Sequence, residues 1–162
     1  MYLFIAGSSK ENFPLSYIPD ISMLLSRVAM IEDVDLVFGG NPEGMMKIAC
    51  CEFKNHSKEV IRVDSSKKTM EMIQKLYEKS DCILFLPGGI ETLGVLFSVI
   101  EENKHQHHPK KIILYNCNYF YTPIIKELYH LYQIGVIDEV PSNYMIIESN
   151  EDKVVELIEE MK

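Results

Sequence analysis

At 162 residues the chain suffices for one domain with a substantial core, and its 47% apolar content marks a globular protein rather than a disordered one. A formal net charge of −8, no basic run, and arginine only at Arg27 and Arg62 argue against nucleic acid or an anionic membrane surface as partner. No apolar stretch is long enough to span a bilayer, and a first strand starting at Tyr2 argues against a cleaved leader.

The elements alternate along the chain. Tyr2-Leu3-Phe4-Ile5-Ala6 is a continuous apolar run ending in Gly7-Ser8-Ser9, the pattern of a parallel strand buried on both faces and then a glycine loop. Helical spacing follows from Ile18 to Ile31. Asp35 to Phe38 is a second strand, broken by Gly39-Gly40-Asn41-Pro42, and Glu43 to Phe53 reads as helix. Val60 to Val63 is a third strand. Lys67 to Lys79 is an amphipathic helix with Met72, Leu76 and Tyr77 inward. Cys82 to Leu86 is the fourth strand, stopped by Pro87; a helix from Thr92 to Lys104 presents Leu93, Leu96, Phe97 and Ile100. Ile112 to Tyr115, a helix from Pro123 to Gln133, and a strand from Tyr144 to Ile147 follow. Asn150 caps a last helix, with Glu151 and Asp152 in its first turn. Six strands alternating with six helices predict an α/β, Rossmann-like, doubly wound and mostly parallel six-stranded sheet, helices on both faces, in one domain over 1–162.

Such sheets bind ligands beyond the carboxyl ends of their strands, where strand order reverses. Three glycine-bearing loops follow strand ends: Gly7-Ser8-Ser9, Gly39-Gly40 through Gly44, and Pro87-Gly88-Gly89 leading to Thr92. Glycine lets backbone approach a ligand closely, and a helix N-terminus offers unpaired N–H groups. Together the loops predict a nucleoside or nucleotide lying across that edge. Glu91 puts a negative charge where a phosphate would sit, and it equally suits a helix first turn, where a carboxylate complements the dipole.

These residues resemble the LOG ("Lonely guy") family, often labelled lysine-decarboxylase-like, over nearly the whole chain. Phe4-Ile5-Ala6-Gly7-Ser8-Ser9 resembles the family's opening strand and loop. Gly39-Gly40-Asn41-Pro42-Glu43-Gly44-Met45-Met46 resembles its Gly-Gly-Gly-x-x-Gly-Leu-Met stretch, and Leu86-Pro87-Gly88-Gly89 the start of its Pro-Gly-Gly-x-Gly-Thr-x-x-Glu signature. Tyr119-Phe120-Tyr121-Thr122-Pro123 and Gly135-Val136-Ile137 are similar to later segments. The resemblance implies a phosphoribohydrolase cleaving the N-glycosidic bond of adenine-type nucleoside 5′-monophosphates, a cytoplasmic homodimer whose pocket borrows from the partner subunit, and no cofactor. No cofactor-binding lysine motif is recognisable, so lysine decarboxylation is not expected.

The departures fall on the chemistry. The signature's second-half glycine is Glu91, and its glutamate falls on Val95. Counted back without gaps, an Arg-Lys pair on the preceding helix falls on Met72 and Ile73, and the third glycine of the second loop on Asn41. Glycosidic cleavage builds positive charge on the ribose, which a carboxylate stabilises, and losing a positioned acid–base group typically costs roughly 10²–10⁴-fold. The expectation is therefore a nucleotide binder whose hydrolysis is weak, altered or lost. The alternative is a hydrolase using Glu91 as catalytic carboxylate, with Lys67, Lys68 or Arg62 as replacement cation.

Other features read more blandly. His105, His107 and His108 follow a helix end, where histidines suit the dipole, and no partner closes a metal site. Ser8 lacks a nucleophile elbow. Cys50, Cys51, Cys82 and Cys117 show neither CxxC spacing nor a disulfide framework, and read as small buried thiols in a reducing cytoplasm.

Overall fold

The computed structural model describes residues 1–63 and 69–162. Among them one six-stranded sheet is formed by β1 (Tyr2–Ala6), β2 (Asp35–Gly39), β3 (Val60–Val63), β4 (Cys82–Phe85), β5 (Lys111–Tyr115) and β6 (Ile146–Glu148). Every pairing is parallel, in the order β3-β2-β1-β4-β5-β6. The sheet expected to be mostly parallel is thus parallel throughout, and its order reverses between β1 and β4, which is the switch point of a doubly wound fold.

Parallel neighbours need crossovers, and helices supply them. These are α1 (Ile18–Met30), α2 (Met45–Asn55), α3 (Thr69–Lys79), α4 (Ile90–Lys104), α5 (Thr122–Gln133), α6 (Pro141–Tyr144) and α7 (Glu151–Glu159). Strand residues alternate between two cores because successive side chains point to opposite faces. Leu3, Ile5, Leu36, Phe38 and Leu84 pack with α1, α2 and α7 on one face. Phe4, Ala6, Val37, Ile83 and Phe85 pack with α3, α4 and Tyr121 on the other.

Several boundaries differ from the sequence reading. The last strand is Ile146–Glu148 rather than Tyr144 to Ile147, because Pro141, pre-set for helical φ at N1, starts the short α6 through Tyr144. Helix α4 begins at Ile90, so Glu91 lies inside its first turn. Phe97, expected inward, is 40% exposed, while Val99 takes the buried place on that helix. On α3, Ile73 is buried beside Leu76 and Tyr77, and Met72 is only partly covered. Cys51 is exposed; Cys50, Cys82 and Cys117 are buried, and all four are free. Asn150 caps α7 as expected: its Oδ1 accepts from Asp152 N at 2.8 Å and Lys153 N at 3.4 Å, a cap worth about 1 kcal/mol.

Candidate functional site

The three glycine loops meet through backbone geometry. Gly44 has φ +54, and a Cβ there would lie 2.6 Å from the Ser8 carbonyl oxygen. Only glycine lets the β2–α2 loop seat on the β1–α1 loop, and Met45 N then donates to Ser8 O at 3.0 Å. Ser8 N in turn donates to Pro87 O at 3.1 Å, tying the first loop to the third. The Ser8 hydroxyl is buried and accepts from Lys10 N at 3.2 Å. In the third loop Gly88 lies against Thr92, where a Cβ would be 2.1 Å from Oγ1. Gly89 is the N-cap of α4, with no side chain capping the helix.

These contacts frame a cavity of about 410 Å³ at the carboxyl edge of β1 and β2, within the range of small-molecule sites. Of the ligand-contact residues expected from sequence, Gly7, Ser9, Gly39, Gly40 and Thr92 line it, together with Glu91. Ser8, Gly44 and Gly88 act one layer back, holding the loops in register. Pro87 and Gly89 sit at the turn into α4, with Pro87 contributing its carbonyl to the Ser8 bond.

The apolar wall comes from Met46, Met72, Leu76 and Val95. Met72 and Val95 are the positions at which the family resemblance implies arginine and glutamate, and the fold brings both to this cavity with Glu91. Met72 packs over Gly39, its sulfur 3.1 Å from where a Cβ would stand. The charged lining groups, among the described residues, are Glu43 and Glu91. Sequence reasoning did not single out Glu43. Its position just before a glycine that opens a helix was the available signal.

Arg62 does not point into the cavity wall. Its guanidinium donates to Gly40 O at 2.7 Å and Asn41 Oδ1 at 2.8 Å, bracing the second loop from outside. Lys67 and Lys68, the other proposed replacement cations, lie outside the described residues. His105 is exposed, with Nε2 3.7 Å from Glu101.

Beneath the third loop the buried Tyr121 hydroxyl donates to Leu86 O at 2.7 Å. Asn116 sets that tyrosine in place. Its Oδ1 accepts from Tyr121 N at 2.7 Å, and its Nδ2 donates to Thr122 Oγ1 at 3.1 Å. The Tyr121 role was not visible in sequence, since it joins residues 35 positions apart, and the local Asn116 contacts gain their meaning only through it.

A family model described as possible lysine decarboxylase matches residues 27–158. Over 159 residues the chain is 24% identical to a probable cytokinin riboside 5′-monophosphate phosphoribohydrolase of Oryza sativa subsp. japonica, covering 87% of this chain but 65% of the rice protein. Over 172 residues it is 25% identical to a cytokinin riboside 5′-monophosphate phosphoribohydrolase of Arabidopsis thaliana, covering 95% of this chain and 80% of that protein. Among solved structures, the molybdenum cofactor carrier protein of Chlamydomonas reinhardtii superposes with a TM-score of 0.70 at 11% identity, over 99% of this chain and 96% of that one. The molybdenum cofactor binding protein of Rippkaea orientalis gives 0.68 at 18% identity, over 99% and 94%. At such identities these two structures speak to the fold alone. The family match spans most of the chain, and the expected loops occupy the expected strand ends: this protein belongs to the LOG, lysine-decarboxylase-like family.

Proposed function

We propose that this protein binds a nucleoside or nucleoside monophosphate at its glycine-rich strand ends, and that the family's glycosidic hydrolysis is weakened, altered or lost in it. One observation carries the reading. The cavity's walls at Met72 and Val95 are apolar, where the hydrolytic chemistry implied by the resemblance calls for a guanidinium and a carboxylate. A methionine cannot hold phosphate or assist a leaving base, and a valine cannot stabilise an oxocarbenium-like ribose. Despite Asn41 and Glu91, the three loops remain tied together around the cavity, which supports retained binding.

The reading includes a homodimer. Helix α5 buries no residue fully in the single chain. Its neighbours Ile134 and Val136 are 57% and 64% exposed, and Phe97 on α4 is also open. An apolar groove of about 340 Å³ lies between Leu93 of α4 and Ile124 of α5. Exposed apolar surface on this scale favours a protein partner, and a second copy is the simplest one. The free thiols support a reducing, cytoplasmic setting.

The test is direct. The purified protein is incubated with AMP, GMP, CMP and UMP, and release of free base and ribose 5-phosphate is measured beside ligand-induced thermal stabilisation. Stabilisation without appreciable release is expected. Brisk release that disappears in Glu91→Gln would overturn the reading in favour of a rearranged hydrolase.

A further inference from the structure

We infer that the cavity selects an unphosphorylated nucleoside over the corresponding 5′-monophosphate. The inference rests on the nucleoside-binding reading above and sharpens it.

Two helices open onto the cavity, and each brings its own carboxylate to that end. Glu91 lies in the first turn of α4, and Glu43 immediately precedes Gly44, the N-cap of α2. Both line the cavity, as do Thr92 and Val95 from α4 and Met46 from α2. A helix N-terminus attracts an anion through its unpaired N–H groups and dipole. Here that attraction is already compensated by the protein's own charges, and an incoming phosphate of about −1.5 to −2 would face two carboxylates. Arg62 donates to the neutral Gly40 and Asn41 oxygens and keeps its charge, but it is one cation against two carboxylates and does not itself line the cavity.

The same groups suit a neutral nucleoside. Carboxylates accept hydrogen bonds, and a ribose offers a vicinal pair of hydroxyl donors. The Met46, Met72, Leu76 and Val95 surface is soft and apolar, and fits the faces of a base. Sugar toward the carboxylates and base toward the methionines satisfies both halves of the cavity without any cation.

Isothermal titration compares adenosine, guanosine, cytidine and uridine with their 5′-monophosphates, at low salt and at 1 M salt, in the unaltered protein and in the Glu43→Gln/Glu91→Gln variant. At low salt the preferred nucleoside is expected to bind at least about tenfold more tightly than its monophosphate, since opposed like charges are strongly penalised. The difference should shrink at 1 M salt, where screening acts within about 3 Å, and should collapse in the double variant. The salt series gives the same answer should the double variant fold poorly. A monophosphate that binds as tightly as its nucleoside overturns this inference and leaves the nucleotide-binding reading standing. A preference untouched by salt and by both substitutions overturns the electrostatic origin. Failure of all eight compounds to bind overturns both.

Discussion

The Tyr121 hydroxyl donates a 2.7 Å hydrogen bond to the carbonyl of Leu86, the last residue before Pro87-Gly88-Gly89. It is the side-chain support under the loop that leads into α4. Tyr121→Phe keeps the ring and strands a buried acceptor, which costs about 1–3 kcal/mol. Urea unfolding should show a lower midpoint with an unchanged slope, and ligand affinity should fall with it. An unchanged midpoint would mean that the loop holds its shape without Tyr121.

The adjacent glycines should behave differently. A Cβ at Gly88 would sit 2.1 Å from Thr92 Oγ1 and 2.5 Å from Thr92 Cβ, whereas at Gly89 nothing stands within 4 Å. Gly88→Ala should cost about 1–3 kcal/mol and displace the first turn of α4. Gly89→Ala should cost about 1 kcal/mol or less. Thermal unfolding of the two variants side by side checks the contrast, and equal losses would refute it.

Stability should fall on the alkaline side. Burial raises the Cys82 thiol from its ordinary 9.0 to about 12 and the Cys117 thiol to about 11, the latter also facing Asp20. Burial likewise pushes up the Tyr115 and Tyr121 hydroxyls. Each folded value lies above the unfolded one, so the unfolded chain releases these protons first. Their contribution is therefore complete below about pH 9 and is lost as pH climbs toward 11–12. Denaturation midpoints measured from pH 8 to 11 should decline, and Cys82→Ala should flatten the decline.

Restoring the side chains implied by the family resemblance tests the proposed loss of hydrolysis. Met72→Arg/Val95→Glu places a guanidinium and a carboxylate on the same cavity wall. Base release from AMP should rise by roughly 10²-fold or more over the unaltered protein, the usual worth of a positioned acid–base group. No gain in a folded variant would mean that Met72 and Val95 do not account for the proposed loss, with Glu91 the next position to change.

The proposed dimer can be broken from its exposed apolar edge. Ile134→Asp/Val136→Asp places two carboxylates on residues that are already open in the single chain, so folding should be spared. Light scattering after size exclusion should show a dimer for the unaltered protein and a monomer for the variant. A variant that stays dimeric would move the interface off this edge.

Much of the architecture was legible along the chain. Continuous apolar runs such as Leu3 to Ala6 and Cys82 to Leu86 mark strands covered on both faces, and glycine loops at their ends mark the edge where the cavity lies. Boundaries failed where local patterns competed. Tyr144 continues an apolar run, yet Pro141 draws it into α6. Phe97 follows helical spacing, yet faces outward because α4 has an apolar surface on more than one side. Glu43 escaped notice because its place before a helix-opening glycine does not say that α4 will bring Glu91 to the same cavity.

By itself, then, the chain determined the alternation of strands and helices, the three glycine turns, and the apolar residues Met72 and Val95 where the family resemblance implies chemistry. The alternation and the turns follow from periodicity and backbone freedom, which act over a few residues, whereas the meaning of Met72 and Val95 comes from the family resemblance alone. Tertiary structure decided that Met72, Val95, Glu43 and Glu91 share one cavity, that Gly44 and Gly88 serve packing, and that Tyr121 supports Leu86. Strand order brings these together, and strand order is set by how two helical layers bury against one sheet, a global balance that no single segment expresses.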